Sequence, residues 1–164
     1  MTYKVAIVDD AEINLVLFQA LIRRMGDCES ICFSDGLQGL EWAKQHDFDL
    51  LICDYMMPGL DGIEFIGRLR AMADKKNLPI LMITANDQKQ IRYRALDAGA
   101  TDFLTKPVDK VEFMARANNM LQLGASRKAL ADRAAWLAEE VKKATVEIVR
   151  RERETVIRLS KAAE

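Results

Sequence analysis

Short apolar runs and helix-period stripes alternate along residues 4–122. Apolar or β-branched runs at 4–8, 28–33, 49–53, 79–83 and 101–104 predict strands, and the segments between them are of helix length. The first helical segment places Ile13, Val16, Leu17, Ala20 and Leu21 on a 3.6-residue stripe, which predicts their burial. The third opens with Asp61-Gly-Ile-Glu64, an acidic N-cap with Glu three residues on, and the fifth repeats the device with Asp109 and Glu112. Gly99 follows Leu96-Asp97-Ala98 and predicts the stop of the fourth helix. Five βα units in succession predict an α/β fold, with a parallel sheet covered by helices on both faces. Right-handed crossovers leave few topologies. The doubly wound, flavodoxin-like order 2-1-3-4-5 brings strands 1 and 3 together at the switch point.

The pattern changes after Leu123. Gly124-Ala-Ser126 reads as a kink or a short linker, and from Arg127 onward there is no Pro, no Gly and no strand pattern. Leu130, Ala134, Leu137, Val141, Ala144 and Ile148 recur at alternating spacings of four and three. Beyond Ile148 the strict heptad meets Arg151 and Arg158, whereas a register through Thr145, Ile148, Thr155 and Leu159 stays less polar, as a four-residue stutter would. Glu139–Lys143, Glu147–Arg151 and Glu154–Arg158 stand in the favourable i,i+4 order. So narrow an apolar stripe needs a partner. A dimeric coiled coil is the preferred reading; the alternative is a helix docked on its own or another domain.

Composition narrows the function. Half of the 164 residues are apolar, enough for a real core, and the net charge of −1 offers no whole-chain attraction for nucleic acid or membrane. Residues 1–124 hold 14 Lys/Arg against 18 Asp/Glu, a balance of −4, and residues 125–164 hold 10 against 7, a balance of +3 with the signs mixed. Cys28, Cys32 and Cys53 have no CxxC or Cys/His metal spacing and read as small buried hydrophobes in a reducing cytoplasm. No apolar run approaches the ~20 residues of a membrane span. The N-terminus lacks signal-peptide architecture.

The chemistry sits at the ends of the predicted strands. The first ends in Asp9-Asp10, and the third in Asp54, followed by Tyr55-Met56-Met57-Pro58-Gly59. Thr84 closes the fourth, and Lys106-Pro107 follows the fifth. In an open parallel sheet these tips converge on one cleft. Three neighbouring carboxylates repel unless a cation lies among them, and Mg²⁺ prefers such hard oxygen ligands. With a lysine and a hydroxyl added, the set suits phosphoryl transfer to a carboxylate, a reaction governed by positioning and electrostatics. Taken singly, the acidic pair could be a helix N-cap, Thr84 a turn residue, Phe103 core and Lys106 a surface cation. His46-Asp47 resembles a metal-binding pair, but it contains the chain's only histidine and reads as a helix C-terminus.

Together, Asp9-Asp10, Asp54 with Met57-Pro58-Gly59, Thr84-Ala85 and Lys106-Pro107 give residues 1–122 a clear resemblance to a response-regulator receiver domain of two-component signalling. The resemblance implies that Asp54 accepts a phosphoryl group from a sensor histidine kinase or phosphotransfer protein. It implies Mg²⁺ on Asp9, Asp10, Asp54 and the Met56 backbone carbonyl, with Lys106 paired to the phosphoryl group. Thr84 and Phe103 would be the switch pair, Phe103 standing where the family often has Tyr, and the Lys106-Pro107 bond would be cis. Residues 123–164 would form the helical linker, a route to homodimerisation. The run from Trp136 to Val149, continued by Leu159–Glu164, resembles the signalling helix that precedes HD-GYP cyclic di-GMP phosphodiesterase domains. It implies an output domain beyond this chain, with no direct nucleic-acid or membrane contact. The same helix could lead to a GGDEF diguanylate cyclase or a kinase, or serve a stand-alone dimeriser. A phosphatase of the haloacid-dehalogenase type would carry a second Asp where Met56 stands. In this chain no enzyme activity is expected beyond self-phosphorylation from a donor and slow autodephosphorylation.

Overall fold

In the computed structural model, residues 2–85 and 89–163 are described. They fall into two units, Met1–Ala125 and Ser126–Glu164. The first contains β1 (Tyr3–Val8), α1 (Glu12–Arg24), β2 (Cys28–Phe33), α2 (Gly36–Gln45), β3 (Leu50–Asp54), α3 (Gly62–Arg70), a 3-10 turn (Ala73–Lys75), β4 (Ile80–Thr84), α4 (Lys89–Ala98) and β5 (Asp102–Thr105). The last helix, α5 (Lys110–Ala162), begins in the first unit and supplies the second.

The five strands are parallel, in the order β2-β1-β3-β4-β5. This is the doubly wound order expected for the chain, one of the few that a run of right-handed βα units leaves. β3, β4 and β5 each begin and end one residue later than their apolar runs predict. Asp54 and Thr84 are the last residues of their strands, as the sequence places them. Pro79 contributes no N–H, so β4 starts after it.

Period-2 alternation divides the core into two layers. Ala6, Val8, Leu51, Cys53, Ile80 and Met82 face α2, α3 and α4, where Leu40, Phe65, Ile66, Leu69 and Ala95 meet them. Val5, Ile7, Leu50, Ile52, Leu81 and Ile83 face α1 and α5, against Phe18, Ile22, Phe113 and Ala117. Phe18 and Phe113 stack with centroids 5.2 Å apart and tie those two helices together. Each fully buried side chain of this size is worth about 1.5–3 kcal/mol relative to exposure.

The stripe predicted for α1 is corrected by the structure. Ile13 is 79% exposed and Val16 61%, while Leu15, Phe18, Leu21 and Ile22 are the residues buried. The helix carries apolar residues over most of its circumference, so periodicity alone could not select the face. The sheet selects it, by accepting Phe18 and Ile22 between strands and α5.

The local signals at helix ends hold. Asp61 caps α3 by accepting from the Glu64 N–H at 2.8 Å, and Asp109 accepts from the Glu112 N–H at 2.8 Å. Glu64 and Glu112 do not close the capping box; they pair with Arg68 and Arg116 one turn on. Gly99 ends α4 with φ +109, a conformation that L side chains rarely adopt. Asp35 caps α2 through the Gln38 N–H at 3.0 Å, a cap not anticipated.

In the second unit the described residues are helical and almost wholly exposed. Leu130, Leu137, Val141, Ile148 and Leu159 of the heptad stripe are all open, and so are Trp136, Val146, Val149 and Val156 off it. Glu147 pairs with Arg151 as expected. Lys143 instead pairs with Glu140, and Glu154 approaches Arg150. The hydroxyls of Thr145 and Thr155 donate to carbonyls one turn back, which spends their polarity within the helix.

Candidate functional site

Asp9 follows directly on β1, Asp54 ends β3 and Thr84 ends β4, and all three are buried at 1%, 4% and 1% exposure. Asp10 is exposed beside them. Carboxylate oxygens of Asp9, Asp10 and Asp54 lie within 4.8 Å of one another. Lys106 arrives from the end of β5: its N–H donates to the Thr84 carbonyl at 2.7 Å. Its ammonium then donates to Asp54 Oδ1 at 2.8 Å and lies 3.4 Å from Asp9 Oδ2. The Lys106–Pro107 peptide is cis.

The electrostatics are those of crowded acids. Burial pushes the Asp54 carboxyl above the ordinary carboxylate value; the hydrogen bond from Lys106 pulls it back, and Asp9 and Asp10 add repulsion. Burial disfavours the Lys106 charge too. Its hydrogen bond to Asp54 and the attraction of Asp54 and Asp9 outweigh that and hold its pKa above the ordinary lysine value. Next to Asp54, the fully buried Cys53 thiol is pushed far up by burial and by the surrounding acids, so it stays protonated and inert. Among the described residues one lysine faces three carboxylates, which leaves room for a further positive charge. Three hard oxygen donors so close together fit a small divalent ion.

Met56 and Met57 line a cleft of about 500 Å³ with Asp10, Tyr55, Pro58 and Asp61 beside the acids. Phe103 on β5 is half-buried, and the Arg92 guanidinium lies 5.3 Å from its ring centroid. The predicted residues Asp9, Asp10, Asp54 and Lys106 thus come together, with Thr84 at the adjoining strand end. The acidic pair is not the N-cap of α1: that position is Ala11, without a side-chain cap. The His46-Asp47 pair is spent structurally. His46 Nδ1 lies 2.8 Å from the Trp42 carbonyl, its ring stacks on Trp42, and Asp47 pairs with the buried Lys75.

Two residues were not legible as part of the site. Gly62, the first residue of α3, lets the helix start against the back of the acid: a Cβ there would lie 2.5 Å from the Asp54 carbonyl oxygen. Its N–H donates to the Tyr55 carbonyl at 2.8 Å. Asn14 on α1 donates its amide to Asp9. A glycine at a helix start and an asparagine in a helix are common, and nothing in the linear pattern links either to a strand tip.

Comparison with known proteins agrees with this geometry. The response regulator receiver domain family matches residues 5–118. The cyclic di-GMP phosphodiesterase response regulator RpfG of Xanthomonas campestris pv. campestris is 37% identical over 161 residues, covering 98% of this chain and 43% of that protein. The response regulator PleD of Caulobacter vibrioides is 34% identical over 120 residues, 73% of this chain and 26% of that protein. The chain thus spans half the length or less of these relatives. Among solved structures, the receiver domain of sensor histidine kinase PA1611 from Pseudomonas aeruginosa PAO1 has a magnesium ion coordinated in its active-site cleft. It matches with TM-score 0.68 at 26% identity, over 74% of this chain and 99% of that one. Vibrio cholerae chemotaxis protein CheY4 matches with TM-score 0.69 at 28% identity, over 73% and 99%. With acids, threonine and lysine at the strand tips and the family matched across the sheet, the chain belongs to the response regulator receiver domain family of two-component signalling.

Proposed function

We propose that this chain is a phosphorylation-dependent switch in which Asp54 takes a phosphoryl group from the phosphohistidine of a sensor kinase or phosphotransfer protein. The observation that carries the reading is the Asp54 carboxylate, held by the Lys106 ammonium at 2.8 Å within a cluster of three acids. Asp9, Asp10 and Asp54, with the Met56 backbone carbonyl, would hold Mg²⁺. Bound there, the ion supplies positive charge against the repulsion between a carboxylate nucleophile and a phosphoryl group. Lys106 moves from pairing a carboxylate to pairing a phosphoryl oxygen, and the Thr84 hydroxyl donates to another. Thr84 and Phe103 then change position together, a local charge event biasing a two-state element. α4, β5 and α5 form the face that reads it. Domain limits of 1–122 for the receiver and 123–164 for the helical linker belong to the same proposal.

The tail carries the output. The likeness to RpfG takes in 98% of this chain, and so the second unit as well, whereas that to PleD takes in 73%. Because RpfG is a cyclic di-GMP phosphodiesterase response regulator, this supports a linker to an HD-GYP cyclic di-GMP phosphodiesterase domain. The exposed heptad stripe supports homodimerisation through residues 126–163. Among the described residues no helix is long and apolar enough to cross a membrane, in keeping with a cytoplasmic placement. Incubation with acetyl phosphate and Mg²⁺ should add one phosphoryl group to the wild type, read by intact mass, and none to Asp54→Ala. Equal labelling of both would end the proposal. The residues encoded after Glu164 test the output assignment.

A further inference from the structure

Asp9 is the most enclosed carboxylate of the pocket, and its two oxygens are held by different kinds of donor. Oδ1 accepts from the Ala11 N–H at 2.8 Å and from Asn14 Nδ2 at 3.1 Å. Oδ2 accepts from the same Asn14 nitrogen at 3.0 Å, while Lys106 lies farther off at 3.4 Å. A carboxylate oxygen accepts, so the amide turns its NH₂ end toward Asp9, and one N–H is shared between the two oxygens. Asn14 is therefore a neutral clamp astride a charged group. It offsets part of the cost of burying that charge without adding a cation that would compete for the site.

The geometry points to Asn14 as a positioning residue of the acid pocket: its amide fixes the orientation of Asp9 for a shared divalent ion and leaves Lys106 to Asp54. Without the amide, Asp9 Oδ2 keeps only the lysine. Lys106 would then be drawn from Asp54 toward Asp9, and the Asp9 carboxylate would turn on a single remaining backbone donor. Both changes weaken a site for a cation, and the first also withdraws the lysine from the phosphoryl acceptor. Asn14 is half-buried at the start of α1, so its removal opens no core cavity. The inference rests on the reading of the pocket as a Mg²⁺ site, and the experiment separates the two.

The full chain is titrated with Mg²⁺ alone by isothermal calorimetry as wild type, Asn14→Ala and Asn14→Gln. Thermal unfolding without metal is recorded beside it. Partners of metal ligands typically contribute 10–100-fold in affinity, so Asn14→Ala should bind Mg²⁺ about tenfold more weakly. Asn14→Gln, which keeps the donor on a longer stem, should recover part of the loss. A purely structural role would lower the metal-free unfolding temperature and leave the affinity of the folded protein unchanged. Equal affinity in wild type and Asn14→Ala overturns the inference, as does identical weakening in Asn14→Ala and Asn14→Gln. A wild type that binds no Mg²⁺ overturns instead the reading of the pocket.

Discussion

The two stretches of α5 have similar apolar content and opposite fates. Up to Ala125 the helix buries Phe113, Ala117, Met120 and Leu121 against the sheet and α1. Beyond it, Leu137, Val141 and Ile148 are as hydrophobic and remain exposed. Helix propensity does not separate them, since both are helical. A tertiary partner within the chain does: the first stretch faces β-strands, the second faces nothing among the described residues. Burial, not amphipathicity, converts an apolar stripe into stability, and the tail's stripe is left as a means of association.

The largest effect expected breaks that contrast from the inside. Phe113→Ala removes one ring of the Phe18–Phe113 stack from the core and should cost ~3–5 kcal/mol in denaturant unfolding. Ile148→Ala, at a concentration where the chain is monomeric, should stay within about 0.5 kcal/mol of wild type. If the two substitutions cost the same, the tail is packed on something the contrast overlooks.

Next in size is association. Light scattering at tens of micromolar should find residues 1–164 dimeric and residues 1–122 monomeric. Placing Asp at both Leu137 and Ile148 should return the full chain to monomer with its unfolding otherwise intact. Two monomers in the first comparison would remove the coiled coil.

The smallest effect sharpens the receiver side. In the metal-free folded protein Asp54 binds its proton more tightly than in the unfolded chain, because burial raises its pKa. Between the ordinary carboxylate value and the raised one, the folded state then holds more protons. This group's contribution to stability falls as pH rises through that window. Asp54→Asn cannot ionise, so the stability of the variant relative to wild type should grow across the same interval and then level off. A constant difference, from unfolding curves taken without metal, would mean the carboxylate is not strained by its surroundings.

Much of the site was legible because its residues close apolar runs. A strand end is visible in sequence as a polar residue after a hydrophobic string, and Asp9, Asp54, Thr84 and Lys106 all stand at one. The Asp61 and Asp109 caps were legible for a similar reason: a cap acts within one turn of chain. Which side of α1 is buried was not legible, because Ile13 and Val16 are as apolar as Phe18 and Ile22. Nor was the dependence of Asp9 on Asn14, since no pattern of hydrophobicity marks one amide among many.

The order of polar and apolar residues therefore determined the elements, their sequence along the chain and the acids at the strand tips. Those properties are local, set by periods of two and 3.6 residues and by turn chemistry. Only the folded sheet decided which helix faces are covered, which donors reach Asp9, and that Gly62 must lie against the Asp54 peptide. Such contacts join residues remote in sequence through packing, and packing is a property of the whole fold.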